Sequence, residues 1–367
     1  MKTLQFCLSK SDFGILKSIA NRPEYAEHVA SLVYVAEMLS SKRHEFDSHA
    51  KQLQLDEDFR HLALTDEEIR GYYETYEQAF EEQQEILTYN RDFEVLEGVI
   101  SKLPNLDEIV VWSTPNGANA GIAAMGPTDR VHWPFDRVGL WGTAISESGI
   151  DYEDGPSRHL RALLRGVHNA GTQLRKIRAA GMHHSFFNPE HFGLAHMTHL
   201  FENLTCFEIS IGAFAEWDYT WHEDRYILAP HVIDGSACRT TMQKGVLRTA
   251  LLKMPNLVTL RLIIYGLMRD WRLVNGSCPP PSLEDMVPTE QLWSKLESLT
   301  LEGMYADQEQ LATLILKHRD TLTSLELSKV RILSGSWRRL LPHLKVGLAA
   351  KKPVIKLGYD PEDWSDG

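Results

Sequence analysis

The sequence predicts an α/β solenoid, with parallel strands on a concave face and helices on the convex face. Three observations predict it. Six segments share the spacing Leu-x-x-apolar-x-apolar. A stretch with helical period lies upstream of most of them. A lone helix–strand unit cannot bury its own apolar side, so such units must stack.

The six segments are Leu106/Ile109/Val111, Leu174/Ile177/Ala179, Leu204/Phe207/Ile209, Leu257/Leu260/Leu262, Leu296/Leu299/Leu301 and Leu322/Leu325/Leu327. The last two residues of each stand two apart, which puts them on one face of a short strand. The opening Leu turns the chain into that strand. Weaker copies stand upstream at Leu4/Phe6 and Leu32/Tyr34.

The helical stretches follow in order. Phe93, Leu96, Val99, Ile100 and Leu103 precede the first clear copy. Leu160, Leu163, Leu164 and Val167 precede the second; Leu194, Met197, Leu200 and Phe201 the third. Met242, Val246, Leu247, Ala250 and Leu251 precede the fourth, and Leu311, Leu314 and Ile315 the last. Spacings of three and four place each set on one helical stripe. Successive opening leucines are 26 to 68 residues apart. A regular leucine-rich repeat spans about 20–29 residues, so this array is irregular and carries insertions.

We expect a single array over 1–355, with insertions near 40–90, 114–155 and 266–290, and an acidic frayed tail over 356–367. Within the first insertion, residues 65–87 read as one long amphipathic helix, opened by a Thr65/Glu68 capping box. The second holds Trp133 and Trp141, candidates for interface anchors. Trp293 and Trp337 read as core.

Composition narrows the partners. Lys and Arg total 38 against 50 Asp and Glu, a net charge of −12. Such a chain repels phosphate backbones, and no basic stripe was expected to offset this, so nucleic acid is not expected as a direct partner. No apolar run is long enough to cross a membrane. The four cysteines are far apart and form no C-x-x-C, which points to a reduced compartment, cytoplasmic or nuclear.

Residues 296–341 resemble the last repeats of the fungal F-box/leucine-rich-repeat family. In that family a strand ending in "LEG" precedes a helix, then a "TLTSLELS" strand and a "SGSW" turn into a closing helix. Here these are Leu299–Gly303, Leu311–Leu316, Leu322–Ser328 and Ser334–Trp337. Residues 154–182 resemble an internal repeat of the family, and 9–35 the stretch just after the F-box. The resemblance implies a substrate receptor of an SCF-type ubiquitin ligase. The chain begins where the F-box would end, so a surface for a Skp1-type adaptor is not visible in the sequence.

Motifs for chemistry are sparse. His183, His184, His191, His196 and His199 cluster, and His196 and His199 stand one helical turn apart. The alternative they raise is a metal-dependent hydrolase, although no Cys or acidic pair at ligand spacing completes the set. "WHEDRY" lacks the second His of H-E-x-x-H, and no P-loop, G-x-G-x-x-G or G-x-S-x-G occurs. No catalytic residue, metal ligand or cofactor is assigned.

The remaining surface is the strand face opposite the helices. Alternation assigns Glu108, Val110, Trp112, Lys176, Arg178, Glu208, Thr259, Arg261, Thr300 and Glu326 to it, with Cys206, Ser298 and Ser324 between. The expected function is a non-catalytic module that recognises a protein partner through this row. The further alternative is a diverged structural solenoid without a fixed partner.

Overall fold

The computed structural model describes residues 2–36, 65–112, 155–189, 198–212, 219–222, 225–228, 235–265 and 281–358. Its centre is a nine-stranded parallel sheet flanked by helices. The strands are β1 (Thr3–Phe6), β2 (Ser31–Val35), β3 (Glu108–Trp112), β4 (Lys176–His183), β5 (Cys206–Gly212), β8 (Thr259–Tyr265), β9 (Ser298–Glu302), β11 (Ser324–Ser328) and β13 (Val354–Gly358). They lie side by side in chain order, β1 at one edge and β13 at the other, so the sheet does not close into a barrel. All eight pairings are parallel.

Each repeat supplies the same two positions to the register. Ile109 pairs with Ile177, Ile177 with Phe207, Phe207 with Leu260, Leu260 with Leu299, and Leu299 with Leu325. The second line runs Val111, Ala179, Ile209, Leu262, Leu301, Leu327. All of these side chains are buried in one hydrophobic cluster, together with the opening leucines Leu106, Leu174, Leu204, Leu257, Leu296 and Leu322. Burial of each Leu or Ile contributes roughly 1.5–3 kcal/mol.

The helices meet this cluster from one side. They are α1 (Lys10–Ala20), α2 (Pro23–Ala26), α3 (Asp66–Thr88), α4 (Arg91–Ile100), α5 (Gly155–Ala170), α6 (Gly235–Gln243), α7 (Val246–Leu252), α8 (Leu283–Met286), α9 (Gln308–Lys317) and α10 (Trp337–Gly347). Leu96, Val99 and Ile100 of α4, Leu160, Leu163, Leu164 and Val167 of α5, and Leu311, Leu314 and Ile315 of α9 are core, as their spacing requires. The capping box at α3 forms: Glu68 N–H donates to Thr65 Oγ1, and Thr65 N–H donates to the Glu68 carboxylate. Two short pairs complete the set: β6 (Tyr219–His222) is antiparallel to β7 (Arg225–Leu228), and β10 (Tyr305–Ala306) is parallel to β12 (Arg331–Ile332).

Two local features differ from the expected outline, and the helix expected before the third repeat falls partly outside the described residues. The helix before the fourth repeat is two helices, broken at Gly245, whose φ of 72° suits glycine and stops α6 from continuing. Before the third repeat, the described residues hold two 3₁₀ turns, His184–Phe187 and Thr198–Leu200, and Leu194 and Met197 of the expected helix lie outside them. The last strand runs to Gly358, across the expected boundary between array and tail at 355. The tail from 359, residues 40–64, 114–154 (with Trp133 and Trp141) and 266–280 of the three expected insertions, and His191 and His196 lie outside the described residues.

Two turns explain sequence motifs. Gly303 ends the "LEG" strand at φ 72°, and a Cβ there would stand 1.7 Å from Ile264 O. Only glycine fits both constraints. In "SGSW", Gly335 has φ 98° and Ser336 caps α10 by accepting from Arg339 N–H.

Candidate functional site

The strand face opposite the core is built by the same register, displaced by one residue. One line across the sheet reads Gln5, Val33, Val110, Arg178, Glu208, Arg261, Thr300, Glu326, Lys356. A second reads Glu108, Lys176, Cys206, Thr259, Ser298, Ser324. Trp112 pairs with Val35 at the carboxyl end of β3. The ten residues assigned to this face therefore fall on three adjacent lines.

Arg178 is the hub. Its Nη1 lies 3.5 Å from Glu108 Oε1, and its Nε lies 3.7 Å from Glu208 Oε1. Burial pulls the Arg178 pKa down, but Glu208 and then Glu108 more than offset this and raise it above its ordinary value. The Cys206 thiol donates to Glu208 Oε1 at 3.3 Å. Burial first, and the Glu208 carboxylate second, push that thiol up to about 12. Cys206 is thus protonated at neutral pH and lacks the thiolate character of a nucleophile.

Just beyond Arg178 the β4–β5 register shifts between Ala179 and Met182. Gly181 sits there at φ 73°, and its N–H donates to Ser210 Oγ at 2.9 Å. Such bulges re-aim side chains and recur beside binding sites.

The middle of this face is less exposed than an open polar sheet would be. Glu208 is 5% exposed, and Val110, Cys206 and Thr300 are also buried. Neighbouring strands about 4.8 Å apart on both sides shade these central side chains. Toward β13 the line opens, with Glu326 half-buried and Lys356 exposed. Glu208 Oε2 and Arg261 Nε, in register on adjacent strands, are shielded from solvent and have no hydrogen-bond partner among the described residues.

The histidine region takes a different form. The His183 and His184 rings lie 4.1 Å apart, and His183 Nδ1 meets Ser185 Oγ at 2.8 Å. His199 faces His168, ring centroids 5.0 Å apart. Among the described residues, no group of three or more His, Cys, Asp or Glu is placed to hold a metal ion. No described helix is long and apolar enough to cross a membrane.

Alternation along each strand was enough to find the row. The sequence reading missed the contribution of Lys356, because β13 lacks the repeat signature: Lys352 stands where the motif has its opening Leu. Compared with known proteins, the chain matches no family model, no curated protein and no solved structure.

Proposed function

We propose that the protein is a non-catalytic recognition module, an irregular leucine-rich-repeat solenoid that binds a protein partner through the strand face carrying Arg178, Glu208 and Arg261. The observation that carries this reading is the in-register line Val110, Arg178, Glu208, Arg261, Thr300, Glu326 across six consecutive parallel strands. It offers alternating charge at strand spacing over a broad surface, which suits a polypeptide more than a small molecule. The resemblance to F-box/leucine-rich-repeat proteins adds the context of a ubiquitin-ligase substrate receptor.

Affinity purification of the chain with mass spectrometry tests the reading. A stable partner whose recovery falls in the Arg261→Glu single variant and in the Arg178→Glu/Arg261→Glu pair supports it. Co-recovery of a Skp1-type adaptor and a cullin supports the ligase context. A partner retained unchanged by both folded variants removes the row from recognition.

A further inference from the structure

The end of the sheet differs in charge from the rest of the chain. Residues 329–358 contain Lys329, Arg331, Arg338, Arg339, Lys345, Lys351, Lys352 and Lys356, and no Asp or Glu. The net charge of −12 conceals this segment, and the expectation that no basic stripe exists is corrected here. Lys329 pairs with Glu302. Arg338, Arg339, Lys345, Lys351, Lys352 and Lys356 are exposed, and none forms an ion pair among the described residues.

The same end leaves apolar surface uncovered. Ile355 occupies the register of the fully buried Leu325 yet is 40% exposed. Val354 is 62% exposed, Val346 of α10 78% and Leu333 51%. β13 pairs only with β11 among the described residues. Val354 N–H donates to Thr323 O, and Gly358 O accepts from Lys329 N–H. Alternation in a parallel ladder then directs the N–H and C=O groups of Ile355 and Leu357 to the free edge.

We propose that the free edge of β13, with its basic surroundings, docks an extended acidic polypeptide segment that adds as a further strand. The register sets its pattern. Apolar side chains lie beside Ile355 and Leu357, and acidic ones beside Lys356, as cross-strand pairing favours. Lysines at 351, 352 and 356 steer the segment in. A second copy of this edge is a poor occupant, because it brings the same lysines into apposition. Phosphate polymers and anionic lipid match the charge but leave the edge amides and carbonyls unused.

The test uses the full chain and the fluorescein-labelled peptide Glu-Val-Glu-Ile-Glu-Val-Glu, read by fluorescence anisotropy. Binding is expected, and the Lys version of the same peptide is expected not to bind. A Lys351→Glu/Lys352→Glu/Lys356→Glu variant should bind the acidic peptide at least about tenfold more weakly, or about 1.4 kcal/mol. Ile355→Pro removes an N–H that the sheet does not use and should block strand addition while thermal melting stays near that of the parent. The unaltered protein gives an independent check: N-methylation of the peptide at alternate residues, which removes edge hydrogen bonds without altering charge, should abolish binding. Equal affinity for the N-methylated peptide overturns the proposal. So does binding to phosphatidylserine vesicles or oligo(dT) with none to the peptide.

Discussion

The two faces of the central sheet are one residue apart in sequence and opposite in character. On the helix side, Leu260 and Leu299 repeat one chemistry from strand to strand, and from Ile109 to Leu325 every residue of the line is buried and apolar. On the other side, Arg261 and Thr300 belong to a line that alternates charge and never repeats a residue on adjacent strands from Arg178 to Lys356. The first face is set by the need to exclude water and accepts only apolar groups of suitable size. The second has no such requirement, so its residues are free to encode a partner.

The sharpest way to break this contrast is to truncate adjacent residues on opposite faces. Leu260→Ala should lower unfolding free energy in urea by about 2–5 kcal/mol, while Arg261→Ala should cost less than about 1 kcal/mol. Comparable losses would mean that the second face is structural as well. Gly303→Ala, which meets Ile264 O from the neighbouring strand, should cost roughly 1–3 kcal/mol for the φ alone, measured in the same way.

Polar groups on the helix side give a pH-dependent test. His318 accepts from Trp293 N–H through Nε2, and its Nδ1 faces Leu314 O at 2.8 Å. Burial lowers its pKa below the ordinary 6.5, offset in part by the Leu314 carbonyl. The unfolded chain therefore takes up this proton first. The His318 contribution is complete above about 6.5 and is lost as pH falls from there to the lower folded value. Stability measured between pH 7.5 and 5 should fall less in His318→Gln than in the parent. The smallest expected effect is spectroscopic. Thiolate absorbance near 240 nm, compared between the parent and Cys206→Ser, should show no Cys206 ionisation up to about pH 9, well below the value of about 12.

Much of the fold was legible because the helix-side residues recur at fixed spacing. Leu257/Leu260/Leu262 alone predicts one strand; its siblings predict its neighbours. Even the weaker copies at Leu4 and Leu32 form β1 and β2; for β2, Val29 supplies the buried opening residue that Leu supplies elsewhere. β13 was not legible. Its motif position is Lys352, in the left-handed region at φ 48°, where a turn and not a core contact is required. The candidate site was legible only as a row. Alternation placed Arg178 and Glu208 on one face, but nothing in the spacing announced that Arg178 would bridge two carboxylates or that Cys206 would donate a hydrogen bond to Glu208. The Arg178 contacts depend on the cross-strand register, which brings Glu108 and Arg178 together from 70 positions apart.

Because every strand of the sheet lies beside its immediate successors in the chain, pairing never skips a unit. Opening the molecule therefore need not be all-or-none. Detaching β13 severs one ladder and leaves the other eight strands with their own helices. Amide exchange should accordingly be fastest at the β13 end and slowest around β5 and β8, which share the longest ladder of the sheet. The chain would then carry a gradient of cooperativity, firmest where Glu208 and Arg261 meet.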